Sequence, residues 1–266
     1  MKLTALLAIL IGIILVGCST GPPTGVEQSQ NIDATVAAAP TTPTTEPAST
    51  VKKVLDQFLP LSESHYNKGF DYQELGQYQT AINDFTMAIQ LDPDYADAYI
   101  NRGNSYAELG QYQTSVNDYT KAIQIDPNDA LAYNNRGYSY ANLGQYQTAI
   151  NDYTKAIQFD PDLALAYTNR GSSYANLGQY QTAINEYTKA IQIDPDDADA
   201  YAGRGNTYDD LGQHQQAILD LSMAIQLDPD DAWAHSIRAL VYRNLDQYLL
   251  ANADDAKACS LDSLYC

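Results

Sequence analysis

Positive charge is scarce in this chain: 14 Lys and Arg stand against 33 Asp and Glu, a formal net charge of -19 over 266 residues. No positive field exists to gather phosphate backbones, so nucleic acid is excluded as an expected partner, and anionic membrane surfaces are disfavoured for the same reason. Tryptophan occurs once and phenylalanine four times, whereas tyrosine occurs 22 times. The apolar run from Leu3 to Val16 spans fourteen residues, too few to cross a bilayer comfortably, where about 20 are needed. Asp-Pro-Asp segments recur, but each offers too few oxygens at loop spacing to hold calcium, so no metal is expected.

That apolar run follows Met1 and Lys2 and ends in Leu15-Val16-Gly17-Cys18, the shape of a secretory signal. Its last four residues resemble the lipobox of bacterial lipoproteins. The resemblance implies cleavage after residue 17 and lipidation of Cys18, which would tie the chain to a membrane facing the periplasm or exterior of a cell envelope. Ser19 in place of Asp implies the outer membrane where two membranes exist. An ordinary cleaved signal or an uncleaved anchor is the alternative. Residues 18–50 are rich in Pro, Thr, Ala and Gly, as in APTTPTTEPAST at 39–50. Such composition cannot bury a core and reads as a flexible tether.

Beyond the tether the chain is periodic. Pro93, Pro127, Pro161, Pro195 and Pro229 lie 34 residues apart, as do Gly76, Gly110, Gly144, Gly178 and Gly212. The third copy carries Tyr133, Gly137, Tyr140, Ala149, Tyr153 and Pro161. These aromatic, small and closing-proline positions resemble the tetratricopeptide repeat. The resemblance implies an all-α fold, a right-handed superhelical solenoid of six helix-turn-helix units at 62–95, 96–129, 130–163, 164–197, 198–231 and 232–265. Each unit is expected to pair a helix A, stopped by a left-handed Gly, with a helix B whose Ala149, Ile150, Tyr153, Ala156 and Ile157 share one face. The residue after each proline is expected to cap the next helix A. Val51, Val54, Leu55 and Phe58 form one stripe before Pro60, read as a capping helix at 51–61, with membrane docking aided by Lys52 and Lys53 as the other reading. Asn252, Asp255 and Asp246 replace apolar residues and Gly in the sixth unit, as a terminated stack needs.

The family pattern has Leu where this chain has Arg102, Arg136, Arg170, Arg204 and Arg238, with Lys68 in the first unit. Sixteen residues after each comes an acid: Asp84, Asp118, Asp152, Glu186, Asp220 or Asp254. Six matches suggest ion pairs, because a half-buried cation without a partner is costly. An anion site is the alternative.

Before each cation stands Asn67, Asn101, Asn135 or Asn169, then Gly203 and Ile237. The inner wall of such a solenoid is built from helix A. Asparagine there resembles the asparagine ladder in the repeat domain of O-linked N-acetylglucosamine transferases, which implies that these amides, with Asn104 and Tyr138 nearby, hold the backbone of an extended peptide. A carboxamide can match a peptide unit because it both donates and accepts. A merely hydrated polar groove is the alternative. Neighbouring inner-wall places are Ile100, Leu131, Asn134, Leu165, Thr168 and Ser172. The wall lacks the Lys and Arg set by which chaperone-binding members clamp a terminal carboxylate. Its acidic margins, including Glu63, Asp97, Glu108, Asp199, Asp209 and Asp210, favour neutral or basic ligands.

Nothing in the sequence assembles an active site or a cofactor site. No strand is expected and so no phosphate loop after one. His65 and His235 fill aromatic places and His214 replaces a Tyr, all read as packing. With Cys18 lipidated, Cys259 and Cys266 remain as a pair; a short disulfide and an unbonded buried thiol are both open. The expected function is therefore a non-catalytic, membrane-anchored scaffold for a protein or extended peptide. A spacer or assembly factor for envelope machinery, and a regulatory subunit of a cell-wall or protein-processing enzyme, are the alternatives.

Overall fold

A computed structural model describes residues 48–266, with side chains from residue 58 onward. The expected signal at 1–17, Cys18, nearly all of the tether, and the side chains of Val51, Lys52, Lys53, Val54 and Leu55 lie outside what is described. Twelve α-helices and one short 3-10 turn make up the described residues. They alternate as A and B: α1 Ala48–Glu74, α2 Tyr78–Leu91, α3 Ala96–Glu108, α4 Tyr112–Ile125, α5 Ala130–Asn142, α6 Tyr146–Phe159, α7 Ala164–Asn176, α8 Tyr180–Ile193, α9 Ala198–Asp210, α10 His214–Leu227, α11 Ala232–Asn244 and α12 Tyr248–Leu261. Each A helix packs on its own B helix and on the B helix of the preceding unit, which makes an all-α repeat solenoid. None of the described helices is long and apolar enough to cross a membrane.

Neighbouring A helices also touch one another along the stack, from α1 to α3 through to α9 to α11, whereas among the described residues no such series joins the B helices. The A helices therefore lie on the inner side of the curve. What permits each A helix to approach its own B helix closely is a glycine facing a large side chain. A Cβ on Gly137 would meet Tyr153 Cε1 at 2.8 Å, and Gly69, Gly103, Gly171 and Gly205 face Phe85, Tyr119, Tyr187 and Leu221 in the same register. Tyr153 is 1% exposed and Ala149 fully buried beside it. The sixth unit shows the rule in reverse: Asp255 replaces the ring, and the small residue opposite is Ala239.

Helix A ends as its sequence predicts. Gly144 takes φ +73°, its N–H donates to Ala141 O at 2.9 Å, and the Gln145 N–H donates to Tyr140 O at 2.8 Å, a Schellman closure. Asp246 stands in that place in the last unit and is forced to φ 59°. The N-terminal caps differ from expectation by one residue. Asp129, Asp197 and Asp231 cap their helices by accepting from Ala132, Ala200 and Ala234. The aspartate before each proline folds the turn itself, as Asp160 Oδ1 accepts the Asp162 N–H at 3.0 Å; Asp and Asn tie a turn to their own backbone two residues on.

Two boundaries are corrected. The cap expected at 51–61 and the first helix A form one continuous helix, α1, with Pro60 inside it; the tether's expected end at 50 also overlaps its first turn. Proline removes one amide donor, and near this gap the Ser62 hydroxyl donates to Leu59 O at 2.8 Å. At the other end a disulfide joins Cys259 to Cys266 and pins the 3-10 turn Ser263–Tyr265 to α12. Asn252 faces solvent as expected of a final helix, but Leu249, three residues before it, is 88% exposed.

Gly137→Ala should lower thermal stability by about 1–3 kcal/mol, because the added methyl drives against Tyr153 in a filled core. Ala239→Gly, at the equivalent place without a ring, should cost no more than about 1 kcal/mol of helix propensity. Melting curves of the two variants test the contrast.

Candidate functional site

The five arginines are bridges between units. Arg136 Nε and Nη2 donate to Asp152 at 2.7 and 2.8 Å, a two-point clamp onto its own helix B, while Nη1 donates to Thr120 Oγ1 at 3.1 Å on the helix B before it. Arg102 and Arg204 repeat the arrangement with Asp118 and Thr86, and with Asp220 and Thr188. Arg238 uses Asp254 and Ser222, and Arg170 uses a single oxygen of Glu186 with Thr154. Each guanidinium also lies 5.4–5.9 Å from a tyrosine ring centre, within cation–π range. The hydroxyls were missed in the sequence, although Thr86, Thr120, Thr154, Thr188 and Ser222 recur sixteen residues before each arginine.

The hydrogen bond with Asp152 holds the Arg136 guanidinium above its ordinary range, outweighing burial. At Asp254 burial acts to raise the carboxyl, but bonds from Arg238 and His235 prevail and hold it below the usual value of 3.8. The cations are thus spent inside the fold, and no anion site is built from them. The first unit is the exception: Asp84 pairs with His65 at 2.8 Å rather than with Lys68, which is exposed. The histidines also do more than pack. His235 bonds Asp254 and His214 bonds Asp209.

The asparagines stand on the inner side but are not independent rungs. Asn169 Nδ2 donates to Asn134 Oδ1, Asn134 to Asn135, Asn135 to Asn104, Asn104 to Asn101, and Asn101 to the Tyr66 hydroxyl, at 3.1, 3.1, 3.1, 3.4 and 2.9 Å. The Tyr119 hydroxyl donates to Asn104 Oδ1 at 2.7 Å. One linked chain of amides therefore runs across the first four units, each member donating to the next in a succession that leads from the fourth unit to the first. Asn134, expected on the wall, is 1% exposed and lies behind it; Thr168 is likewise buried and bonds Asp197. Asn67 is exposed and stands outside this chain. The face presented to the hollow follows helical spacing, 97, 101, 104 and 108 in the second unit, and its equivalents elsewhere.

Between the third and fourth units this face opens into a shallow pocket of about 230 Å³ lined by Tyr138, Ala141, Asn142, Tyr153, Asn169 and Ser172. Tyr138 stands on its rim, 47% exposed. Each amide nitrogen carries two hydrogens and spends one on its neighbour, so at the half-buried Asn101, Asn104, Asn135 and Asn169 the second stays available to a carbonyl, whereas that of Asn134 is buried. Asn104 Oδ1 already accepts two bonds. Within the chain Asn101 and Asn135 Oδ1 accept one bond each and Asn169 Oδ1 accepts none, so the row offers acceptors as well as donors, and its members hold one another in place. Among the described residues no group of three or more His, Cys, Asp or Glu is placed to hold a metal.

Arg136→Ala should destabilise the chain by about 2–4 kcal/mol, since it leaves the Asp152 carboxylate unpaired in a nearly dry site; Lys68→Ala should leave the melting temperature unchanged. The depressed Asp254 carboxyl contributes stability that is complete above pH 3.8 and is lost as pH falls through its lower folded value. Asp254→Asn should therefore lower the neutral-pH melting temperature and flatten its decline below pH 3.8.

Comparison with known proteins agrees with this geometry. A TPR repeat model matches residues 69–110, 103–144, 137–178 and 171–212, and a tetratricopeptide repeat model matches 198–231. Among solved structures, the APC/C hetero-tetramer Cut9-Hcn1 is similar at 21% identity and TM-score 0.71 over 80% of this chain and 43% of that one. PilW, a widely conserved type IV pilus biogenesis factor, is similar at 19% and 0.69 over 77% and 99%. YrrB, a TPR protein with an unusual peptide-binding site, is similar at 22% and 0.50 over 67% and 92%. No curated protein matches. The register of glycines, capped turns and paired helices, together with models matching most of the described length, shows that this chain belongs to the tetratricopeptide repeat family.

Proposed function

We propose that this chain is a lipid-anchored scaffold of the bacterial cell envelope that holds an extended segment of another protein along the inner face of its A helices. The observation that carries the reading is the linked amide chain. Its members are ordered by one another, so a bound backbone meets donors whose orientation cost is already met by the fold. Each bond to a ligand nets about 0.5–1.5 kcal/mol, so a handful supports micromolar binding. The 230 Å³ pocket beside Tyr138 adds a place for one side chain. The reading gives the chain no chemistry of its own, because its recurrent acids serve in ion pairs, turns and caps.

The anchor rests on Leu15-Val16-Gly17-Cys18. Several acyl chains on Cys18 would hold the protein firmly, each buried methylene contributing about 0.8 kcal/mol. An outer-membrane address follows from Ser19 where two membranes exist. The assembly-factor reading has one observation in its favour: the first turn of the last helix is apolar, with Tyr248, Leu249 and Leu250 exposed at 58%, 88% and 50%.

A photo-crosslinking residue at Tyr138 should capture a protein partner in the native envelope, whereas one at Gln147 on the outer side should not. The reverse pattern, or capture from Leu249 alone, favours the assembly-factor reading. Asn101→Ala with Asn135→Ala and Asn169→Ala should weaken capture about tenfold while retaining helical circular dichroism. Cys18→Ala should abolish incorporation of labelled palmitate, and a variant still labelled refutes the anchor.

A further inference from the structure

Four places per unit face the hollow, and their charges are not evenly spread. The first, second and fifth units carry an acid at the first and the last of these places: Glu63 and Glu74, Asp97 and Glu108, Asp199 and Asp210, all exposed. The third and fourth units carry none there, presenting instead Leu131 and Leu165, exposed at 53% and 46%, beside the amides and Tyr138. No Lys or Arg occupies any of these places in the six units. The five bridging arginines of the same helices are turned into their ion pairs, Arg243 pairs with Asp255, and Lys121, Lys155, Lys189 and Lys257 lie on B helices. Lys68, exposed on α1 beside Asn67, is the cation that remains near this face in the first unit, and from the second unit to the sixth no Lys or Arg stands at these places. Partial burial, then Asp197, Asp231 and Asp228, pushes the Asp199 carboxyl above its ordinary range, so a cation brought to it relieves existing repulsion.

We infer that the occupant is an extended protein segment with an uncharged, partly apolar centre and Lys or Arg on both flanks. The centre lies over the third and fourth units, and the flanks meet the acids of the second and fifth. This rests on the inner-face reading above and specifies its ligand. Packed helices lie about 10 Å apart and an extended chain advances about 3.3 Å per residue. About three residues pass each unit, and the two basic flanks are separated by about nine.

The test uses the full chain and fluorescent peptides of about twelve residues that share a Leu- and Tyr-containing centre and differ only in flanks of Lys, Gln or Glu. The Lys-flanked peptide should bind about tenfold tighter than the Glu-flanked one, and the gap should shrink as salt screens the field. A variant combining Asp97→Asn, Glu108→Gln, Asp199→Asn and Asp210→Asn, all at exposed positions, should bind the three peptides alike. Equal binding of the three by the natural chain, abolished by the triple asparagine variant, overturns the charge assignment and leaves the inner-face reading standing. A Lys preference that survives in the acid-neutralised variant places the interaction elsewhere and overturns the assignment. Absence of binding by every peptide, or binding indifferent to the asparagines, overturns both.

Discussion

Two helices cannot be stacked on two more without something that fixes their angle and spacing, and here that something is the arginine bridge. A guanidinium presents a planar fork that matches a carboxylate at two points and still has a third nitrogen to spare. Arg136 uses the fork on Asp152 within its unit and the third nitrogen on Thr120 in the unit before. A leucine in the same place would fill space but could not specify direction. Because the bridge recurs in five successive units, the local geometry of one junction is copied along the stack, and the inner face acquires a regular spacing.

The same bridges decide the electrostatics of that face. Five of the chain's few cations are withdrawn into ion pairs whose side chains are mostly shielded from water. What remains toward the hollow is a set of carboxylates separated by amides and leucines. Structure and charge pattern thus have one origin, the choice of Arg in a place where the family carries Leu.

Much of this was legible in the sequence because periodicity repeats the signal. The 34-residue spacing located the A helices starting at Ala96, Ala130, Ala164, Ala198 and Ala232, and the sixteen-residue offset located five of the six acid partners. Features that depend on choosing between nearby donors were not legible. His65 lies close enough to take Asp84 from Lys68, and Asn134 turns inward to link Asn169 with Asn135. Both outcomes depend on side-chain geometry, which spacing alone does not encode. Pro60 misled for a related reason: proline disfavours a helix interior, yet α1 runs through it and packs against α2.

The linked asparagines have a sense as well as a position. From Asn169 to Asn101 each amide passes a hydrogen to the next, and the succession runs one way along the stack. Such a row is not equivalent to its own reversal, and neither is a polypeptide backbone. Under the proposed reading, a strand threaded with its amino end leading and one threaded with its carboxyl end leading would present their carbonyls differently to this row, so the hollow would distinguish the heading of its guest before reading any side chain.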